Sequence, residues 1–293
     1  MRLNRLAILA PGLLGASVAL AAKRRGIAGQ IAVWARNPDR AQQALCLEIA
    51  DVASADFSVI DGADAVVLAS PVGAMPDLAA RMLERPLAPG CLVTDVGSVK
   101  GAVVARIDAL FAAANRSDAR FVGAHPMAGS EKKGMEHANA DLFEKSACIL
   151  TPSAATDPQA LAEAEAFWSA LGCRMMQMPA EIHDGVVGRI SHLPHLAAAA
   201  LVAPSLGGDP SLARYAGGGF FDSTRVAGGP AEMWAEILLE NRAEIAGPLQ
   251  ELVRELSELL EFLEKGDEKR IAAFLEKARS LREDAAGFRA AAR

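Results

Sequence analysis

The side chains best suited to moving a proton in this sequence are histidines, and three of the five sit where a loop or a disturbed helix could aim them. His125 lies in the string Gly123-Ala124-His125-Pro126-Met127-Ala128-Gly129-Ser130-Glu131. Imidazole titrates near neutrality, so it can accept a proton without a strained pKa, and Pro126 would stiffen the strand-end loop that carries it. His192 and His195, in Ser191-His192-Leu193-Pro194-His195, are three apart and share a face if helical. With His183 upstream they raise the question of a metal. No carboxylate or cysteine completes a ligand set, and Pro194 disturbs the helix ladder. The segment therefore reads as kinked and substrate-facing, one histidine could simply orient the other, and no metal is expected.

A second group of residues would bind and not react. Ala10-Pro11-Gly12-Leu13-Leu14-Gly15 follows an apolar run and opens a helical pattern. This is the dinucleotide fingerprint with its first glycine replaced by Ala10. Gly12 would let a pyrophosphate approach the backbone, and Gly15 would let helix and strand pack closely. The helix beginning at Leu13 and Leu14 would supply free N–H groups at the positive end of its dipole. The acidic residue that normally takes the ribose 2′-hydroxyl is missing, because the second strand ends in Trp34-Ala35-Arg36-Asn37. Without a carboxylate to repel it, a 2′-phosphate could pair with Arg36, so NADP is slightly favoured over NAD. Ser70 and Pro71 end a further strand and would border the nicotinamide half.

The elements that must hold these groups follow from periodicity. From residue 5 to about 150, short apolar runs (Leu6 to Ala10, Ile31 to Ala35, Ala65 to Ala69, Cys91 to Asp95, Phe121 to Ala124, Ala147 to Thr151) alternate with helical patterns, which predicts βαβ units and a parallel sheet. A helix over 157–171 and a strand over 174–178 follow. After Pro179 strands vanish, and the spacing predicts long helices over 182–203, 232–246, 249–265 and 268–291. The expected fold class is an α/β Rossmann-type domain over 1–179 followed by an all-α domain over 180–293. The leucine stripe from Leu249 to Leu263 needs a partner surface, which suggests a homodimer through the helical domain. A net charge of −6 argues against nucleic acid. Scattered cysteines and the lack of an uninterrupted apolar run of roughly 20 residues suggest a cytoplasmic protein without a membrane span.

Taken in order, Thr94-Asp95-Val96-Gly97-Ser98-Val99-Lys100, the Gly123 to Glu131 string, Ser191 to His195, and Gly217-Gly218-Gly219-Phe220 with Arg225 resemble the prephenate/arogenate dehydrogenase family over nearly the whole chain. Ala10 is the clearest departure. The resemblance implies NAD(P)-linked oxidation and decarboxylation of prephenate or arogenate, with His125 taking the ring-hydroxyl proton. It implies that Ser98 bonds the same hydroxyl, although Ser98 is also a natural cap for a helix over 99–114. It further implies that His195 and Arg225 hold the ring and the carboxylates, with His192 alongside, and that Glu131 gates the pocket. On this basis turnover is expected to fall below roughly pH 6.5, the ordinary histidine pKa. Two other readings share part of the pattern: a β-hydroxyacid dehydrogenase or imine reductase, and an NADP-binding sensor that turns nothing over. The first usually needs a helix-borne lysine or aspartate, and the 182–203 helix carries no comparable lysine.

Overall fold

The computed structural model describes residues 2–116, 118–130 and 132–291. They fall into two compact units, 1–242 and 243–293. The first is built on an eight-stranded sheet in the order β3-β2-β1-β4-β5-β6-β7-β8. Its strands are β1 (Leu3–Leu9), β2 (Ala28–Trp34), β3 (Val52–Ser54), β4 (Ala65–Leu68), β5 (Cys91–Asp95), β6 (Ala119–Pro126), β7 (Ala147–Thr151) and β8 (Arg174–Gln177). The helices of this half are α1 (Leu13–Arg24), α2 (Pro38–Cys46), α3 (Met75–Leu83), α4 (Gly101–Ala114) and α5 (Pro158–Ala170).

Alternation along the strands explains why the sheet is covered on both sides. Leu6, Ile8, Ile31, Val33, Val67 and Leu92 belong to one buried cluster with α1 and α5. Their neighbours Ala7, Leu9, Ala32, Trp34, Leu68 and Val93 belong to the other, with α3 and α4. Successive side chains point to opposite faces, so runs that are apolar throughout must be buried twice. The sheet is parallel, as expected, from β3 across to β6; β7 runs antiparallel to β6, with His125 opposite Ile149, and β8 runs parallel to β7. A strand's direction is set by the connection that feeds it, here residues 127–146, and not by its own composition.

Beyond β8 the first unit continues as α6 (Ala180–Val187), a π-helical turn (Gly188–His192), α7 (Leu193–Leu206), α8 (Gly218–Thr224) and α9 (Ala231–Glu240). The π turn precedes Pro194, which lacks the N–H an α-helical ladder would use at that point. The combined run Ala180–Leu206 is apolar and long enough, by composition alone, to cross a bilayer. Its polar residues His183, Asp184, His192 and His195 are nevertheless buried within the unit. The second unit holds the rest of α10 (Arg242–Glu264) and α11 (Glu268–Ala291), which an ion pair from Lys277 to Glu255 joins. The expected helices over 232–246 and 249–265 are therefore divided at Asn241, and Pro248 lies inside α10.

Candidate active site

Four strand ends on one edge of the sheet carry the groups picked out above. β1, β4, β5 and β6 are adjacent and parallel, and they run respectively into Ala10, Ala69-Ser70, Val96-Gly97-Ser98 and His125-Pro126. From β1 to β6 is three strand spacings, about 14 Å. Strand order reverses at β1, where open α/β sheets leave a crevice for a ligand.

The β1 turn fits a pyrophosphate. Gly12 is the N-cap of α1, with no side chain serving the free N–H groups, and a Cβ there would meet nothing within 4 Å. At Gly15 a Cβ would lie 2.7 Å from the Ala69 Cβ and 3.0 Å from the Ile8 Cγ2, so α1 can approach the sheet only because this residue has none. Leu13 and Leu14 form the first turn of α1. Ala10 occupies the left-handed region at φ 65°, the conformation for which the fingerprint's usual glycine is suited. Arg36 is exposed just beyond β2, and Ser70 is buried with its Oγ donating to the Pro71 carbonyl at 3.1 Å.

At the β6 end His125 is 7% exposed, and its Nδ1 lies 2.8 Å from the Nε2 of His183. The His183 Nδ1 lies in turn 2.8 Å from Asp184 Oδ1. Asp184 Oδ1 and Oδ2 also accept the backbone N–H groups of Lys100 and Gly101, at 2.8 and 2.7 Å. Burial pushes the Asp184 carboxyl up, but the His183 ring and the two amides outweigh it and hold the pKa below the ordinary aspartate value. Asp184 is thus a carboxylate and can only accept, so His183 Nδ1 carries the hydrogen. In a neutral His183 the Nε2 must accept from His125 Nδ1–H, which leaves the lone pair of His125 on Nε2. This is the donor order of a base-orienting relay. Burial, and then repulsion from any proton on His183, from the Lys100 ammonium and from any proton on His192, push the His125 pKa well below 6.5.

Asp184 has a second task. The helix α4 has no cap from its own sequence: its N-cap is Lys100, and the carboxylate from α6 fills that role. The expectation that Ser98 caps this helix is therefore corrected. Ser98 lies half-buried in the turn before it. Below that turn, Lys100 Nζ pairs with Asp95 Oδ2 and donates to the Ala124 carbonyl at 2.9 Å, while Asp95 Oδ1 accepts the Ala124 N–H at 2.9 Å. Both side chains of this pair are fully buried, and they clamp both backbone groups of the residue before His125.

His192 and His195 lie on either side of the start of α7. The His195 ring stacks on Trp234 of α9 at 3.5 Å and 9°, and His192 meets the same indole edge-on at 6.0 Å. A Cβ on Gly229 would sit 2.5 Å from the Trp234 Nε1, so the Gly228-Gly229-Pro230 segment can lie against that stack only with glycine there. Asn241, buried just after α9, reaches with its Nδ2 the Asp184 carbonyl and His192 Nδ1, each at 3.0 Å. His192 Nε2 and His195 Nδ1 are buried without hydrogen-bond partners. Arg225 is exposed and opens a 3₁₀ turn, Arg225–Gly228; burial lowers the His195 pKa and the Val226 backbone in that turn raises it. Glu236 of α9 accepts the N–H of Gly73, just past Ser70-Pro71. Glu131 lies outside the described residues.

The structure thus joins His125 to His192 through His183, Asp184 and Asn241, three residues to which sequence analysis gave no role in the site. The adjacent pair His183-Asp184 was the available signal; the Asn241 contact, 57 residues along the chain from Asp184, left none. Among the described residues no cluster of histidine, cysteine and acidic side chains could hold a metal ion.

A strand order that reverses beside a glycine turn, with a histidine relay farther along the same edge, assigns the chain to the dinucleotide-binding oxidoreductases with a helical second half. Comparison with known proteins narrows the class. Residues 18–177 match the model of the prephenate dehydrogenase nucleotide-binding domain, and residues 179–277 that of the prephenate dehydrogenase dimerization domain. The chain belongs to the prephenate dehydrogenase family. It is 35% identical over 280 residues to the prephenate dehydrogenase of Bacillus subtilis, covering 93% of this chain and 73% of that one. With the cyclohexadienyl dehydrogenase of Zymomonas mobilis the identity is 33%, over 87% of each chain. The structure of the A. aeolicus prephenate dehydrogenase in complex with hydroxyphenyl propionate and NAD+ superimposes with a TM-score of 0.86 at 32% identity, covering 97% of this chain and 99% of that one.

Proposed function

We propose that this protein oxidises and decarboxylates prephenate or arogenate at the expense of NAD or NADP, with His125 as the proton acceptor. The observation that carries the reading is the relay from Asp184 through His183, which leaves His125 Nε2 as a neutral base on the sheet edge that also holds the Gly12–Gly15 turn. A nicotinamide held at the Gly12–Gly15 turn would supply the hydride acceptor for the ring carbon that bears the hydroxyl. His125 Nε2 accepts the hydroxyl proton, so that carbon becomes a carbonyl. The bond to the ring carboxylate then breaks, carbon dioxide leaves, and the electron pair of that bond completes an aromatic phenolate, which takes the proton back from His125 Nε2 to become the phenol. The aromatisation makes the step effectively irreversible; the protein's part is position and charge. Ser98, Glu131, His192, His195 and Arg225 serve the substrate, and an arginine suits its carboxylates.

NADP is the favoured cofactor, supported by Arg36 at the end of β2 and the absence of a carboxylate there. The protein acts as a homodimer in the cytoplasm. Support for the dimer comes from the match to the family's dimerization domain and from the exposed Ile182, Ile190, Val253, Leu256, Leu260 and Leu263. Four unpaired thiols are in keeping with a reducing compartment. Initial rates at 340 nm with prephenate and arogenate, each with NAD and NADP, test the assignment. Turnover of either substrate is expected, lost in His125→Ala. Cofactor binding without turnover of either would leave a sensor in its place.

A further inference from the structure

Two buried ring atoms in the helical half have no partner, and one of them can be given a definite chemical character. Asn241 stands at the break between α9 and α10, 3% exposed, and its amide faces two groups at 3.0 Å. The first is the backbone carbonyl of Asp184. A carbonyl oxygen only accepts, so the Asn241 atom facing it must be the NH2 nitrogen. The second is His192 Nδ1, approached by that same nitrogen, which has only hydrogens to offer. His192 Nδ1 must therefore be the unprotonated ring nitrogen, and the ring hydrogen must be on Nε2. That Nε2 is the atom left buried without a partner.

Resting on the function proposed above, we propose that Asn241 is a positioning residue that locks His192 as a neutral Nε2–H donor, so that His192 receives an oxygen of the substrate and refuses its ammonium group. A buried donor without an acceptor carries an uncompensated desolvation cost, which a carboxylate or carbonyl oxygen removes and an ammonium group aggravates. Neutrality agrees with the surroundings: burial, opposed by Asp184 and aided by His183 and His195, brings the His192 pKa down to about 4. Asn241 also ties this choice to the proton relay, because the residue whose carbonyl it holds is the one whose carboxylate orients His183.

The oxygen could come from a carboxylate, which prephenate and arogenate share, or from the side-chain keto group, which only prephenate has. Asn241→Asp separates these sources, because its carboxylate would draw a hydrogen onto Nδ1 and strip it from Nε2. A carboxylate at His192 predicts KM raised about tenfold or more for both substrates; a keto oxygen predicts that rise for prephenate alone. In either case cofactor binding and the melting temperature should report a folded protein. Unchanged KM for both substrates in a folded Asn241→Asp would overturn the proposal.

A direct measurement stands independently of that variant's folding and of the assigned reaction. ¹⁵N spectra of the histidine-labelled wild-type protein at pH 7, with His192 assigned by difference from His192→Gln, should show a neutral ring protonated on Nε2. A ring protonated on Nδ1, or an imidazolium, would overturn the proposal while leaving the proposed reaction untouched.

Discussion

His125 and His183 share a single 2.8 Å hydrogen bond between Nδ1 and Nε2, and the direction of that bond is imposed by Asp184 one residue further on. Removing the middle ring should leave His125 in place but free to adopt the wrong tautomer. For His183→Ala we expect kcat to fall on the order of 10²-fold, with KM for the dinucleotide unchanged. Single-turnover rates on pre-formed complexes provide the check, and a kcat within threefold of wild type would mean that the relay is not used.

The pH profile should differ from the one anticipated for an ordinary histidine. Burial and neighbouring charges depress the His125 pKa, so in the free enzyme the ring stays neutral and base-competent below pH 6.5. The acid limb of kcat/KM is accordingly expected below roughly pH 6.5, where a histidine of ordinary pKa would place it. A limb at pH 6.5 or above that belongs to the enzyme and not to the substrate would contradict this assignment.

Stability should also fall in acid. His192 has a pKa of about 4 when folded and roughly 6.5 when unfolded, so above pH 6.5 both states are neutral and the residue contributes no slope. Between pH 6.5 and about 4 the unfolded chain binds the proton first, and stability drops by up to about 3 kcal/mol from this residue alone. His125 acts in the same direction. Urea melts at pH 7 and pH 5 would measure the effect, and equal midpoints would contradict it.

Lys100 and Asp95 form a fully buried pair. Lys100→Met should cost about 3 kcal/mol, because the remaining Asp95 charge keeps only its backbone donors from Gly97 and Ala124. Chemical denaturation would show the loss. A melt within roughly 0.5 kcal/mol of wild type, the spread of neutral surface changes, would mean that the clamp does little.

At the glycine turn two substitutions should act in opposite senses. Ala10→Gly relieves a left-handed alanine, a conformation that costs roughly 1–2 kcal/mol, and the more flexible unfolded chain offsets part of the gain. The melting temperature should rise slightly. Gly15→Ala forces a methyl group to 2.7 Å from the Ala69 Cβ and should weaken dinucleotide binding, as titration by protein fluorescence would report.

How much of this could be read from the chain depended on how local the cause was. The strands Cys91–Asp95 and Ala147–Thr151 were read to the residue, because apolar runs bounded by turn residues carry their own signal. β3 was not, since its three half-buried residues show no alternation. The helix break at Asn241 was misread as falling at Gly247-Pro248, because the local propensity of proline was weighed and the tertiary contacts of the Asn241 amide could not be. His125 was legible as the reactive imidazole. Its orientation was not, because the ring that holds it is 58 residues away.

The π turn at Gly188–His192 has a genetic consequence. It amounts to one residue more than an α-helix would use, and each residue turns the helix by about 100°. A substitution that let these residues relax into a regular α-ladder with none removed would swing His192 and His195 by about that angle relative to His183 and Asp184. A change that makes the helix locally more ideal would take the substrate-side histidines out of phase with the relay, so this irregularity is one that drift toward a smoother backbone cannot erase without loss.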